Sequence, residues 1–172
     1  MQVLNFFSLD FRFVSDFEFG ISDFESRVVN QTVKSSRDVS VLNRLLQTLC
    51  RSLAAYAQEV RPWSLAAHEP VWTAIGRLAA DSRMYSQRVA EAVIEQGGQP
   101  TPGPYPLEFA ALNDVGLEFF LGQIIVHLKR DQKVIGQCAA ELTRVPAARA
   151  LAEEAYGNLA GHIELLERLA AE

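Results

Sequence analysis

Three side chains in the C-terminal half of the sequence could bind a metal ion: His127, Asp131 and His162. Imidazole nitrogens and carboxylate oxygens are ligands of Zn²⁺ and Fe²⁺, so these side chains could form a reduced mononuclear site. The alternative, which we favour, is that they are ordinary polar groups of a packed helical core. In that interpretation His127 and Asp131, four residues apart, pair on one helix face. His162 is then an imidazole bonded to a neighbouring helix.

The other reactive residue types form no catalytic pattern. Gly97 and Gly98 close a predicted helix and do not open one, so they cannot surround a phosphate with backbone amides. Cys50 and Cys138 lie within helical patterns, where we expect buried thiols and no disulfide. His68 falls in a predicted loop and is expected to be exposed.

Charge and composition indicate a globular protein of one domain. The 172 residues carry a net charge of −5, with 49% hydrophobic and 22% charged residues, which is ordinary for a globular protein. The negative charge, without a basic patch, argues against nucleic acid and anionic membranes as partners. No apolar run reaches the roughly 18 residues of a membrane helix. The first residues do not form a signal-peptide pattern, so we expect a cytoplasmic location.

Residues 1–36 differ in composition from the rest of the chain. Seven of the ten phenylalanines lie in the first 24 residues, and Ser-Asp-Phe-Glu occurs at 15–18 and again at 22–25. These phenylalanines do not share one helix face, so we predict a low-complexity, disordered tail. The alternative is an aromatic docking segment. The folded domain is then expected to comprise residues 37–172.

Four amphipathic helices are predicted from apolar residues that recur at spacings of three and four. Helix-capping residues and prolines mark their ends. The predicted helices run from Asp38 or Ser40 to Pro62, from Pro70 to Gln96, from Asn113 or Asp114 to Leu142, and from Pro146 to the C-terminus.

The segment between the second and third predicted helices is unusually long and stiff. It begins with Gly97 and Gly98 and then has prolines at 100, 102, 104 and 106, which exclude a helix and a central strand. About sixteen residues in an extended conformation can reach about 50 Å, whereas the second helix is about 40 Å long. The third helix can therefore start where the second one started and run parallel to it.

Three segments of the sequence resemble bacterioferritins and the related Dps group. They are residues 42–49 followed by Tyr56, residues 93–100 at the end of the second helix, and residues 162–167 in the fourth. Over about residues 38–171 the chain therefore resembles the ferritin-like superfamily. The resemblance implies an all-α fold, a ferritin-like four-helix bundle with a long crossover between its second and third helices, preceded by the N-terminal tail.

The chemistry of that superfamily requires a Glu on two helices and Glu-x-x-His on the other two, so that six ligands converge on two irons. The positions that correspond to these ligands are Leu49, Ser82, Tyr85, Val126 or His127, Leu159 and His162. Of these, only His162 is cleanly retained. The haem-binding methionine of bacterioferritins corresponds to Arg83, so haem is not expected. Leu49 and Leu159 each contribute roughly 1.5–3 kcal/mol of core packing when buried, and stray buried acids are not expected.

The resemblance therefore implies a non-catalytic, ferritin-like pseudoenzyme. We expect a structural or protein-interaction role, no cofactor, and a homodimer as the candidate assembly. One alternative is an iron- or oxidant-handling protein in which His162, His127 and Asp131 hold iron or zinc. Another is a small apolar-ligand binder that uses the metal-free centre.

Overall fold

The computed structural model describes residues 36–62 and 68–171, which form helices, turns and loops but no strand. The predicted tail, residues 1–36, lies outside the described residues except for Ser36. The all-α prediction is confirmed for the described part of the chain. The helices are α1 (36–50), α2 (Leu53–Val60), α3 (Glu69–Glu95), a 3₁₀ helix (Leu107–Leu112), α4 (Leu117–Glu141) and α5 (Pro146–Ala170).

The first predicted helix is divided in two at Arg51 and Ser52. Ser52 has an extended backbone, with ψ of 148°, and its Oγ accepts a hydrogen bond from the backbone N–H of Ala55 at 3.2 Å. It therefore acts as an N-cap and starts α2 as a new helix. The apolar stripe continues across the break, since Leu49 and Leu53 are both buried.

The glycine pair ends α3 as its sequence predicts. Gly97 has a φ of 74°, and its N–H donates to the carbonyl of Ile94 at 2.8 Å. The N–H of Gly98 donates to the carbonyl of Val93 at 2.9 Å. These two bonds form a Schellman motif, which satisfies the last carbonyls of the helix.

The predicted start of the third long helix at Asn113 or Asp114 is wrong. Residues 107–112 form the 3₁₀ helix, and α4 begins at Leu117, after Gly116 at the N-cap position. Asn113 does not cap α4, because its Oδ1 accepts a hydrogen bond from the Tyr56 hydroxyl at 3.0 Å. Asn113 therefore anchors the connector to α2 and does not cap α4.

Residues 97–116, called the connector below, lie alongside α1 and α2. At its start, Asn43 on α1 donates to the carbonyl of Gln99 at 3.1 Å and accepts from the N–H of Thr101 at 2.9 Å. Towards its end, the rings of Tyr105 and Phe109 lie 5.5 Å and 5.6 Å from the ring of Tyr56 on α2. The connector therefore begins beside α1 and ends beside α2.

The long helices pack side by side in four pairs: α2 with α3, α3 with α5, α4 with α5, and α2 with α4. In the pair α4 and α5, Lys129 contacts Glu167 at 2.6 Å, and Gly136, seven residues later, lies against Tyr156. Because the residue number rises along one helix and falls along the other, this pair is antiparallel.

The core between these helices is apolar. The largest fully buried side chains are Leu42, Leu45, Leu53, Ile75, Leu78, Phe120, Ile124, Leu128, Ile135, Leu142 and Leu166. None of the helices within residues 36–62 and 68–171 combines the length and apolar composition that crossing a bilayer requires.

Candidate functional site

Four of the positions that correspond to ferritin-like ligands lie around one cavity. Leu49 of α1, Ser82 and Tyr85 of α3, and Leu159 of α5 all line a space of about 10 Å³, called the core cavity below. That volume is about one probe sphere, the minimum for a single water molecule. The two leucines are each only 6% exposed, so apolar side chains occupy positions that a carboxylate would need.

The position expected for the ligand on the third long helix is wrong. Val126 is 49% exposed and does not line the core cavity, and His127 lines a different one. The residues of α4 that line the core cavity are Leu128, Asp131 and Ile135. Their spacing of three and four marks the inner stripe of α4. That spacing is the sequence signal that identifies Asp131 as a core position.

Asp131 is a half-buried acid on the inner stripe of α4, contrary to the expectation that no stray acid remains. Burial raises the pKa of its carboxyl group to about 7, and the nearby charge of Arg130 only partly opposes this. Among the described residues, Asp131 takes part in no hydrogen bond or ion pair. A carboxyl group in this environment is protonated in a substantial fraction of molecules at neutral pH.

Of the two polar residues of α3 that line the core cavity, Tyr85 is held by a side-chain hydrogen bond. The hydroxyl of Tyr85, which is 5% exposed, donates to Glu154 Oε1 on α5 at 3.2 Å. Burial, followed by the negative charge of Glu154, raises the pKa of Tyr85. The hydroxyl of Ser86 donates to the carbonyl of Ser82 at 2.7 Å. Tyr85 is therefore a neutral group that connects α3 to α5.

His162 bonds to a residue on α3 and does not line the core cavity. Its Nε2 lies 2.8 Å from Asp81 Oδ2 on α3, and Asn158 donates to the same oxygen at 3.0 Å. Hydrogen bonds from Asn158 and then His162 hold the pKa of Asp81 below its usual value. The expectation of an imidazole bonded to a neighbouring helix is therefore confirmed.

The three metal-ligand candidates do not come together. His127 and Asp131 line a second cavity, of about 220 Å³, between α1, the connector and α4. His162 does not line it, and no hydrogen bond joins His127 to Asp131. Within residues 36–62 and 68–171, no group of three or more His, Cys, Asp or Glu side chains is arranged to hold a metal ion.

The two cysteines and His68 are explained by packing and exposure. Cys138 is a buried free thiol whose sulfur accepts a hydrogen bond from Arg44 Nε at 3.3 Å, and Cys50 is a half-buried free thiol. Burial raises the pKa of Cys138, which makes it a poor nucleophile. His68 is exposed at the start of α3 and makes no side-chain cap. The predictions of free thiols and of an exposed His68 are confirmed.

Comparison with known proteins adds no relative. No protein-family model matches the chain, and no curated protein is significantly similar to it. The functional argument therefore depends on the geometry of the core cavity and its surroundings.

Proposed function

We propose that the chain is a ferritin-like four-helix bundle that lacks di-metal chemistry and has a structural or protein-interaction role. The observation that carries this proposal is the meeting of Leu49, Ser82, Tyr85 and Leu159 at one water-sized cavity. These four positions were assigned from sequence resemblance alone, and they lie on three different helical segments. Their convergence at one level of the bundle core is what a ferritin-like arrangement requires.

The helix directions support the proposed bundle topology. Helix α5 is antiparallel to α4, and it is also antiparallel to α3, since Asp81 pairs with His162 while Tyr85 pairs with Glu154. Helices α3 and α4 therefore run in the same direction, as the long connector beside α1 and α2 allows. A parallel second and third helix with one long crossover is the arrangement of ferritin-like bundles.

The donor atoms around the core cavity do not suit a pair of metal ions. A di-iron centre of this superfamily uses four carboxylates and two imidazoles. Here the cavity wall contains one carboxyl group, that of Asp131, and otherwise only hydroxyl and amide groups, those of Thr48, Ser52, Ser82, Tyr85 and Asn158. The Tyr85 hydroxyl is already bonded to Glu154, and Leu49 and Leu159 fill two of the carboxylate positions.

The alternative of an iron- or oxidant-handling protein requires a site made by His162, His127 and Asp131. The bond between His162 and Asp81 occupies one of these ligands. The other two line the 220 Å³ cavity together with Glu108, but in the described part of the chain these three are not arranged to hold a metal ion. The distribution of donors therefore favours the non-catalytic role.

An interaction role is supported by one outer face of α4. Phe119 is 56% exposed and Val126 is 49% exposed, and they lie seven residues apart on the same side of the helix. Gly122 lies between them, and nothing is within 4 Å of the position that its Cβ would take. A small residue between two large apolar ones allows another helix to approach closely. A second copy of the chain is the candidate partner.

Iron titration tests the proposal. Protein purified without chelator is mixed anaerobically with Fe²⁺ and then exposed to oxygen, and bound iron and oxygen consumption are measured. We expect well under one iron per chain and no protein-dependent oxygen consumption. Uptake of two irons per chain with rapid oxidation would overturn the proposal. Asp131→Asn, which removes the one carboxylate of the core cavity, shows whether any residual binding is located there.

A further inference from the structure

The 220 Å³ cavity, called the connector cavity below, is lined by an arginine that has no ion pair among the described residues. It is bounded by α1, by Arg51 at the break before α2, by the connector and by α4. Two arginines line it. Arg44 is paired with Glu141 at 2.6 Å. Among the described residues, Arg51 has no ion pair, and its Nε is buried without a hydrogen-bond partner.

The buried Nε of Arg51 is shielded from the cavity, but the side chain lines the cavity and its guanidinium has no acceptor among the described residues. Native proteins rarely leave such a donor group unpaired without a reason. The chemical group that matches a guanidinium best is an oxyanion, which accepts two parallel N–H bonds.

The side of the wall formed by Phe109 and His127 is apolar or neutral, whereas Glu108 and Asp131 add acidic groups elsewhere. Phe109 of the connector packs edge-on against His127, with ring centroids 5.3 Å apart and planes at 88°. Burial, and then the charge of Arg130, lowers the pKa of His127, so its imidazole is mainly neutral at pH 7 and can donate or accept one hydrogen bond. This side of the cavity can contact the non-ionic part of a ligand.

We propose that the connector cavity binds a small monocarboxylate, whose carboxylate pairs with Arg51 and whose body contacts Phe109 and His127. The cavity is smaller than the roughly 300–1,000 Å³ of sites for drug-sized ligands, so the ligand is a small acid. Because His127 and Asp131 line this cavity, a metal ion held by them would compete with the acid, and binding is therefore tested on protein without added metal.

A monocarboxylate suits the wall better than a phosphate does. Glu108 and Asp131 also line the cavity, and their negative charge repels a dianion more than a monoanion. The flat carboxylate group also matches the planar guanidinium fork of Arg51. Phosphate therefore serves as the competing probe in the experiment.

Binding should also depend on pH, because the wall contains a group that titrates near neutrality. The charged and titratable groups that face Asp131 are Arg44, Arg51, Glu108, His127 and Arg130 around the connector cavity, and Tyr85 at the core cavity. The pKa of Asp131 is about 7, so it gains a negative charge between pH 6 and pH 8. We expect the affinity for a carboxylate to fall over the same interval.

Isothermal titration calorimetry with butyrate and with inorganic phosphate, at constant ionic strength and at pH 6 and pH 8, tests the site. For the full chain we expect saturable butyrate binding at pH 6, about tenfold weaker binding at pH 8 as Asp131 loses its proton, and weaker binding of phosphate. Phosphate binding as tight as that of butyrate, or no saturable binding of butyrate, would overturn the proposal.

Two variants locate the binding. Arg51→Gln should weaken butyrate binding at least tenfold, while the matched control Arg149→Gln, on the exposed side of α5, should leave it unchanged. Asp131→Asn should bind butyrate equally at pH 6 and pH 8, which keeps the test decisive even if Arg51→Gln fails to fold. Unchanged affinity in folded Arg51→Gln, or an unchanged pH dependence in Asp131→Asn, would contradict the assignment.

Discussion

His162 on α5 and Asp81 on α3 are joined by a contact of 2.8 Å between Nε2 and Oδ2. The imidazole is mostly buried, whereas 38% of the Asp81 side chain is exposed. Asn158, one turn before His162, donates to the same carboxylate oxygen. His162 is therefore engaged in connecting two helices.

This contact predicts a modest stabilising role for His162. We expect His162→Ala to lower the free energy of unfolding by about 1 kcal/mol, because one hydrogen bond to a partly exposed carboxylate is lost. His68→Ala is the matched control, since His68 is exposed and makes no side-chain cap. Urea denaturation at pH 7 measures both. Equal effects of the two substitutions would contradict the role of the Asp81 contact.

The raised pKa of Asp131 predicts that stability depends on pH. Folding raises the pKa of this carboxyl from 3.8 to about 7, so the folded state binds more protons between these values. Its contribution is therefore fully present below pH 4 and is lost as the pH rises through 7. We expect Asp131→Asn to be more stable than the natural chain at pH 8, by on the order of 2 kcal/mol.

The measurement for Asp131 is a series of urea or thermal denaturations from pH 5 to pH 8.5. The difference between Asp131→Asn and the natural chain should be small at pH 5 and should grow as the pH rises. Asp114→Asn is the matched control, because Asp114 is exposed. A difference that is the same at both ends of the pH range would show that Asp131 does not titrate as a buried acid.

Introducing metal ligands of the ferritin-like pattern around the core cavity tests the proposed ligand positions. The variant Leu49→Glu, Ser82→Glu, Tyr85→His, Leu159→Glu places four donors beside Asp131. Without metal it should be several kcal/mol less stable than the natural chain, because carboxylates replace packed leucines. With Co²⁺ we expect a rise in Tm and visible absorption from a bound ion, since the four positions line one cavity.

The matched control for the rebuilt site has Gln at the three positions where the variant has Glu. It changes shape in a similar way but supplies no negative charge to a cation. Co²⁺ should leave its Tm and absorption unchanged. An identical response of the two variants to Co²⁺ would contradict the assignment of positions 49, 82, 85 and 159.

Two glycines in different backbone conformations, Gly97 after α3 and Gly161 within α5, should respond oppositely to replacement by alanine. Gly97 has a φ of 74°, so Gly97→Ala should cost about 1 kcal/mol in the left-handed region. Gly161 lies within α5, and nothing is within 4 Å of the position of an added Cβ. Gly161→Ala should therefore increase stability by up to about 1 kcal/mol. Thermal denaturation of both variants checks the signs, and the same sign for both would be the contrary result.

The aromatic contacts of the connector predict a change in protease sensitivity. Tyr56 contacts the rings of Tyr105 and Phe109 and donates a hydrogen bond to Asn113. We expect Tyr56→Ala to accelerate chymotrypsin cleavage after Phe109, because the end of the connector loses its anchor; the bond after Tyr105 precedes Pro106 and resists this protease. Mass spectrometry identifies the cleavage sites. Tyr156→Ala, which removes an exposed tyrosine from α5, should leave cleavage in the connector unchanged.

The outer ends of the helices follow from local chemistry. Pro146 begins α5, and Gly97 with Gly98 ends α3, as predicted. A proline at the first turn and a glycine just past the last turn act through their own backbone restrictions, so neighbours in space matter little. The roles of Ser52 and Asn113 depend on more than local chemistry. Both are good capping residues, but only Ser52 caps a helix, whereas Asn113 binds Tyr56.

The candidate site was predictable to the extent that the helix register could be inferred. Leu49, Ser82, Tyr85 and Leu159 lie in segments whose register is set by nearby apolar residues, and all four line the core cavity. Val126 was assigned from the resemblance and lies outside the inner stripe of α4, which the buried residues Leu128 and Ile135 mark. Because each residue turns about 100° around the helix axis, Val126 faces away from the core that Leu128 enters.

The sequence by itself determined the all-helical class, the breaks at proline and glycine, and the apolar stripes, because these depend on backbone restrictions and on periodic burial within each segment. Only the tertiary structure decided which polar groups meet. It joined His162 to Asp81, left Asp131 half-buried without a partner among the described residues, and put Arg51 in the wall of the connector cavity. Such contacts depend on side chains that are far apart in the chain, whose distances local patterns do not encode.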